Sequence, residues 1–263
     1  MKFNLREFLI FGIKQARACI FAGSFFILLF LSHHVHIPGL PRYDFLFLAS
    51  VGIQFILYLT KIETKDEIKV ICLFHLIGLV LEIYKTNPAI GSWSYPEFGY
   101  FKIMGVPLYS GFMYAAVGSY ISQAWKIFKL ELTGYKNYTL VVILSFLIYL
   151  NFFTNHYLPD MRWWLFGLVI IVFAKTSVHF TVTSRQYSLP LVISFILIAF
   201  FIWIAENIST YFGAWVYPDQ IVTWTFVSSR KITSWMLLVI ISFNIVAYLK
   251  HYKKERLTNP LLR

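Results

Sequence analysis

Two glutamates stand in matching places before two copies of a short aromatic pattern, G-x-W-x-Y-P, at positions 91–96 and 213–218. Glu82 precedes the first copy and Glu206 precedes the second, each near the end of a long apolar run. An ionised carboxylate is costly in lipid, so such acids usually face the protein interior and serve function. A carboxyl group can pass a proton to a substrate or carry a transported proton. The pair therefore predicts proton chemistry, with Glu82 and Glu206 as catalytic residues.

Other polar and aromatic side chains near the acids are candidates for the same site. Asn207, next to Glu206, could orient that acid or a ligand, and we assign it a catalytic role. Aromatic segments fixed by Gly and Pro could roof a cavity, and an arginine could hold an anionic headgroup. The residues predicted to bind substrate are His75, Trp93, Tyr95, Trp215, Tyr217, Arg42, Arg162 and His156.

Each of these candidates also has a plainer explanation. The acids could hydrogen-bond only their own loops, and the aromatic residues could anchor the chain at the membrane interface. The remaining polar residues could serve interhelical packing or helix ends. Three histidines at positions 33, 34 and 36 form only a weak metal-binding pattern. We predict no metal and no cofactor; the alternative is a di-histidine metal site completed by Glu82 or Glu206.

The two aromatic patterns indicate an internal duplication. Gly91 and Gly213 are 122 residues apart, and Glu82 and Glu206 are 124 residues apart, so acid and pattern keep nearly the same register. We expect a four-helix unit that occurs twice, at about positions 16–125 and 138–249, with both copies in one orientation. A pseudo-twofold axis along the membrane normal would bring the two G-x-W-x-Y-P segments together on the extracytoplasmic side.

The composition of the chain is that of a membrane protein. It is 59% hydrophobic and 13% charged, whereas a soluble domain has about 25% charged residues. The net charge of +11 is spread over short segments between apolar runs. That distribution is typical of topology signals and lipid contact, not of a nucleic-acid-binding patch. We expect membrane lipids as partners, exclude nucleic acid, and leave the oligomeric state open.

Eight apolar segments approach the length of about 20 residues that crossing a bilayer takes. The predicted fold is all-α, a polytopic transmembrane helical bundle in a single integral membrane domain over residues 1–263. The predicted spans are Ala16–His34, Tyr43–Thr60, Ile68–Lys85, Met104–Trp125, Tyr138–His156, Trp163–Val182, Leu189–Tyr211 and Ile232–Leu249. Residues 1–15 mix basic and apolar side chains, which predicts an interfacial helix.

Basic residues are unevenly distributed between the two sides of the predicted bundle. The richer side holds those at 2–17, 61–69, 126–136 and 185, and those of the tail after position 249. Because Lys and Arg concentrate in cytoplasmic loops, both termini are predicted to be cytoplasmic.

Three stretches carry a family resemblance. MKFNLREFLIFG at 1–12, MGVPLYSGFMY at 104–114 and FIWIAENI at 201–208 resemble the YoaT-like family of bacterial integral membrane proteins. The resemblance covers nearly the whole chain and implies a multi-pass protein of the bacterial cytoplasmic membrane. That family has no assigned function and supplies no catalytic residues.

A fainter similarity reaches the membrane carotenoid hydratases and the heterodimeric lycopene cyclases, whose intramembrane acids and aromatic-proline loops are similar to Glu82 with Trp93 and Tyr95. It would imply protonation of an isoprenoid double bond. Three functional hypotheses remain open: a membrane-embedded enzyme that uses acid–base chemistry on a lipid or isoprenoid, a proton-coupled transporter of a small molecule, and a structural or regulatory membrane protein without a pocket.

Overall fold

The computed structural model describes residues 4–135 and 138–258 of the chain, and most of this part is helical. Apolar runs of a dozen residues or more form helices here because a helix satisfies its own backbone hydrogen bonds. The helices are α1 (Leu5–Ala18), α2 (Ile20–His34), α3 (Arg42–Leu59), α4 (Lys65–Thr86), α5 (Ser110–Ile127), α6 (Tyr138–Thr154), α7 (Arg162–Phe173), α8 (Leu191–Tyr211) and α9 (Lys231–Thr258). A short 3-10 helix covers Pro218–Gln220.

Five short β-strands accompany the helices in the described residues, so the fold is mostly helical where an all-α fold was predicted. β1 (Lys102–Ile103) and β2 (Val106–Pro107) form an antiparallel pair. β3 (Glu131–Thr133), β4 (Ser177–Thr181) and β5 (Gln186–Pro190) form an antiparallel sheet in that order. These strands are two to five residues long, so hydropathy over a span-length window could not separate them from the apolar runs beside them.

The sixth predicted span, Trp163–Val182, is wrong in its second half. α7 ends at Phe173, and the chain then enters β4 at Ser177. The segment Ser177–Thr181 contains Val, Phe and Thr, which favour strands because branched and aromatic side chains pack well on a pleated surface. Lys175, between the two elements, is exposed.

Three helices are long and apolar enough to cross a membrane: α3, α8 and the Lys231–Lys250 part of α9. The pair α1 and α2 passes the same criteria together but bends by 70° between the two helices, which makes a fourth candidate. α6 and α7 are apolar but shorter. Residues 4–135 and 138–258 are thus mostly helical, with three to four helices long and apolar enough to span a membrane.

The bend separates an amphipathic helix from the first apolar one. On α1, Leu5, Phe8 and Ile13 are exposed, while Lys14 Nζ donates to the Thr181 carbonyl at 3.0 Å and holds the helix against β4. The first predicted span began at Ala16, inside α1, whereas the apolar helix itself begins at Ile20.

Close packing of α4 on α5 and of α8 on α9 builds the centre of the molecule, where α5 and α9 also touch. Glycines allow the first of these approaches, since Gly78 lies directly against the Tyr114 ring and Gly118 against the Phe74 ring. The apolar core includes Phe74, Ile121, Ile148, Phe195 and Ile240. It leaves the ends of α4 and α8 and the starts of α5 and α9 around one cavity.

Candidate functional site

A cavity of about 280 Å³ lies where α4, α5, α8 and α9 meet below the two G-x-W-x-Y-P segments. Both predicted catalytic acids, Glu82 and Glu206, line it, although the residues themselves are only 2% and 3% exposed. Five of the eight residues predicted to bind substrate line it as well. They are Trp93, Trp215, Tyr217, Arg162 and His156.

The two aromatic segments meet at the same position of each copy. Ser94 N donates to the Val216 carbonyl at 2.9 Å, and Val216 N donates to the Ser94 carbonyl at 3.0 Å. The Trp93 and Tyr217 rings pack edge to face with centroids 6.0 Å apart. The G-x-W-x-Y-P segments therefore form one joined roof over the cavity.

Three donors hold the carboxyl group of Glu82. Trp93 Nε1 and the Tyr95 hydroxyl donate to its Oε2, and the Tyr114 hydroxyl donates to its Oε1, each at 2.7 Å. Burial, followed by the neighbouring Glu82, raises the pKa of Tyr95 well above its ordinary value, so this hydroxyl keeps its proton and can donate. An indole N–H can only donate, so Glu82 must present an acceptor oxygen to Trp93.

Glu206 is held in a similar way by two donors. The Tyr217 hydroxyl donates to Oε1 at 2.5 Å, and Trp235 Nε1 donates to Oε2 at 2.7 Å. Trp235 is the fifth residue of α9, as Tyr114 is the fifth residue of α5. Each acid thus receives one donor from the tyrosine of its own aromatic pattern and one from the helix that follows.

Three cationic side chains also line the cavity, namely Lys85, Arg162 and Lys231. Of these, only Arg162 was predicted from the sequence. Lys85 Nζ donates to Asn155 Oδ1 at 3.0 Å and contacts His156 Nε2 at 2.9 Å. Burial and the nearby Lys85 lower the pKa of His156, which leaves the ring neutral and able to accept. Lys231 Nζ lies over the Tyr217 ring, 4.5 Å from its centroid, and over the Trp93 ring at 5.1 Å.

Neither Lys85 nor Lys231 is among the residues predicted for the site. A signal was available for Lys85, because it is three residues after Glu82 and so lies on the same face of a helix. Lys231 carried no local signal, since 25 residues separate it from Glu206.

A family model described as "Protein of unknown function (DUF817)" matches residues 7–243. The chain belongs to this family. It is also 54% identical over 251 residues to "Uncharacterized protein YoaT" of Bacillus subtilis (strain 168), covering 95% of this chain and 94% of that protein. The YoaT-like resemblance is thereby confirmed, whereas the similarity to carotenoid hydratases is not shown. No solved structure matches the chain.

Two predicted residues of this DUF817 protein lie outside the cavity and hold loops. Asn207 donates to the Trp203 carbonyl at 2.8 Å and accepts from Val227 N at 2.9 Å, so both ends of its amide are engaged. Arg42 pairs with Glu97 at 2.5 Å and donates to the Gly213 carbonyl at 3.2 Å. Neither residue lines the cavity, and their catalytic and substrate-binding roles stay predictions.

His75 and Tyr95 also differ from their predicted placement. His75 does not line the cavity of this DUF817 protein; its ring packs on Phe112 at 4.5 Å and against Gly111. Tyr95 is buried behind the cavity wall and contacts the site through its bond to Glu82. In the described part of the chain, no group of three or more His, Cys, Asp or Glu side chains could hold a metal ion.

Proposed function

We propose that this protein is an enzyme embedded in the bacterial cytoplasmic membrane, and that it uses Glu82 and Glu206 for acid–base chemistry on a lipid or isoprenoid. The observation that carries the proposal is that both acids line one cavity, each held by the tyrosine of its own aromatic pattern. A fixed carboxyl group can exchange a proton with a bound substrate at a set position.

Two acids in one cavity suit a reaction in which a proton enters the substrate at one atom and leaves from another. One carboxylic acid donates its proton, and the other, as a carboxylate, accepts one. The fixed Trp and Tyr donors keep both groups oriented through the exchange. Such a reaction is redox-neutral, so it needs no electron carrier.

The membrane arrangement that we propose has eight spans, α2 to α9, with both termini in the cytoplasm. It consists of two parallel four-helix repeats, at about 16–125 and 138–249. The mutual hydrogen bonds of Ser94 and Val216, which are the same position of the two copies, support a pseudo-twofold axis between them. The matching places of Tyr114 and Trp235 in α5 and α9 support the same axis.

The span count depends on α4, α5, α6 and α7, which do not meet the span criteria by themselves, and α7 is the shortest of them. Its twelve residues rise about 18 Å at 1.5 Å per residue, which is less than the hydrocarbon thickness of about 30 Å. α7 therefore crosses only where the protein thins the bilayer around it. The remaining helices of the second repeat are long enough or nearly so.

The test of the proposed activity is complementation of a deletion strain with Glu82→Gln and Glu206→Gln. Gln keeps the shape of the side chain and loses the proton chemistry, so both variants should fail to restore the lipid profile that the unaltered protein restores. Mass spectrometry of extracted lipids reads the result. The exposed Glu131, outside the cavity, supplies the control Glu131→Gln.

Two results would count against the acids as catalysts. Full restoration by both Gln variants would leave them as structural residues. Failure of both variants to accumulate in the membrane, measured by immunoblot, would show that they brace the roof. The control variant should accumulate and restore the profile.

A proton-coupled transporter of a small molecule is the alternative, favoured by acids in matching places of two halves. A transporter needs a route to the cytoplasmic side. Within the described residues α4, α5, α8 and α9 are unbroken and packed on an apolar core below the cavity, which favours the enzyme. Proton uptake by proteoliposomes when a substrate gradient is applied would instead support transport.

A further inference from the structure

Lys231 lines the cavity with its ammonium group beside two aromatic rings. Its Nζ is flanked by the faces of Trp93 and Tyr217, one ring from each aromatic segment. Among the residues that the structure describes, none accepts a hydrogen bond from this Nζ or forms an ion pair with it. An ammonium has three N–H donors, and aromatic faces attract its charge but do not accept those protons as an oxygen does.

Two more cations line the cavity close to Lys231. Lys85 is 5% exposed, and both of its hydrogen-bond partners, Asn155 and His156, are neutral groups. Arg162 donates to Ser234 Oγ at 2.9 Å and pairs through Nε with Asp160 at 2.5 Å. Lys231 also interacts electrostatically with Arg162, which places like charges beside each other.

The two acids reduce this positive charge only from a distance. Both interact electrostatically with Lys231, but their oxygens already accept from Trp and Tyr donors. Within the described part of the chain, neither Lys85 nor Lys231 lies within 4.0 Å of a carboxylate oxygen. Buried cations without a direct anionic partner are unfavourable unless an anion joins them.

Much of the remaining cavity wall is apolar. Leu81, Phe152 and Leu238 line it together with the aromatic side chains of the roof. Such a wall can hold a hydrocarbon portion while the basic groups hold a charged end. A neutral isoprenoid that becomes a carbocation fits poorly, because Lys231 and Lys85 would repel the developing positive charge.

We infer that Lys231, Lys85 and Arg162 bind an oxyanion, a phosphate or carboxylate, which is the headgroup of the amphipathic substrate. The part of this inference that makes the oxyanion a portion of the substrate rests on the proposed function. The binding of the oxyanion itself does not depend on turnover. Ser92 and Ser234, which also line the cavity, offer hydroxyl donors to the same oxyanion.

The test measures binding of short-chain phosphatidic acid to the purified full-length protein in detergent. Native mass spectrometry and thermal unfolding detect the binding. Short-chain phosphatidylcholine is the zwitterionic comparison, and inorganic phosphate is the competitor. The unaltered protein should bind phosphatidic acid, should not bind phosphatidylcholine comparably, and should release the lipid as phosphate is added.

The variants Lys231→Gln and Lys85→Gln should each weaken phosphatidic acid binding about tenfold or more, since a hydrogen bond to a charged group contributes about 1.5–3 kcal/mol. Arg230→Gln is the matched control, because Arg230 precedes Lys231 and is exposed outside the cavity. If Lys231→Gln does not fold, Lys231→Arg, which keeps the charge, should still bind phosphatidic acid. The loss of binding in Lys85→Gln then tests the inference.

Equal binding of the two lipids, or equal loss in Arg230→Gln, would overturn the inference. Phosphate that binds and stabilises as well as phosphatidic acid would identify a free oxyanion as the occupant of the same three cations. Glu82→Gln and Glu206→Gln separate this inference from the proposed activity. Both variants should keep phosphatidic acid binding and lose turnover. If they retain turnover while only the lysine variants lose binding, the oxyanion site is supported and the acid–base mechanism is contradicted.

Discussion

At the scale of single residues, the Tyr114 hydroxyl is the only described donor to Oε1 of Glu82. Tyr114→Phe should lower stability by about 1–3 kcal/mol, because it leaves a buried acceptor without its partner. It should also reduce activity, since the carboxyl group loses one of its fixed contacts. Thermal unfolding in detergent measures the first effect. Tyr100→Phe, at an exposed tyrosine, is the control and should change neither; equal destabilisation by both variants would contradict the prediction.

The sequence placed the acids and most of the aromatic roof residues in one cavity, but it did not place every neighbouring residue correctly. The repeated register of Glu82 and Glu206 pointed to the cavity because two independent copies agreed. Asn207 has no such second copy, and the contacts of Asn207 and Arg42 run to backbone amides and carbonyls that no sequence pattern specifies. Lys231 was missed because only the folded chain brings it to the aromatic segments.

At the scale of elements, the contact between α4 and α5 depends on small residues. Gly78→Ala should destabilise the protein by about 1–3 kcal/mol, as overpacking does, because a Cβ there would meet the Tyr114 ring. It should also move the Tyr114 hydroxyl away from Glu82 and lower activity. Gly52→Ala in α3 is the control, since nothing lies within 4 Å of that Cβ. Unfolding temperatures that fall equally in both variants would contradict this account.

Helices could be predicted from the sequence more securely than their ends or the strands between them. Long apolar runs specify helices such as α8 and α9 regardless of context. The end of α7 at Phe173 could not be foreseen, because β4 exists only through pairing with β3 and β5, which lie on either side of it along the chain. Such pairing is a tertiary constraint that local hydropathy does not contain.

At the scale of the whole molecule, the proposed topology can be tested with reporter fusions. Fusions after Lys129 and after Arg263 should report the cytoplasm, and fusions within positions 93–101 should report the exterior, because the basic segments stay inside. Paired reporters, active on opposite sides of the membrane, measure each position. An external C-terminus would mean that one span is miscounted, and α7, with twelve residues, would be the first to re-examine.

The bridge between Ser94 and Val216 restricts how a molecule can reach the acids. Its two hydrogen bonds join backbone atoms, so changing either side chain leaves both bonding groups in place. Raising one aromatic segment would break both bonds, and the tyrosines of the same segments are tied to Glu82 and Glu206 below. A path between the two aromatic segments is therefore closed in the resting protein, whereas the cavity edge at His156 is exposed. We expect the substrate to enter the cavity laterally, between neighbouring helices, from the surrounding bilayer.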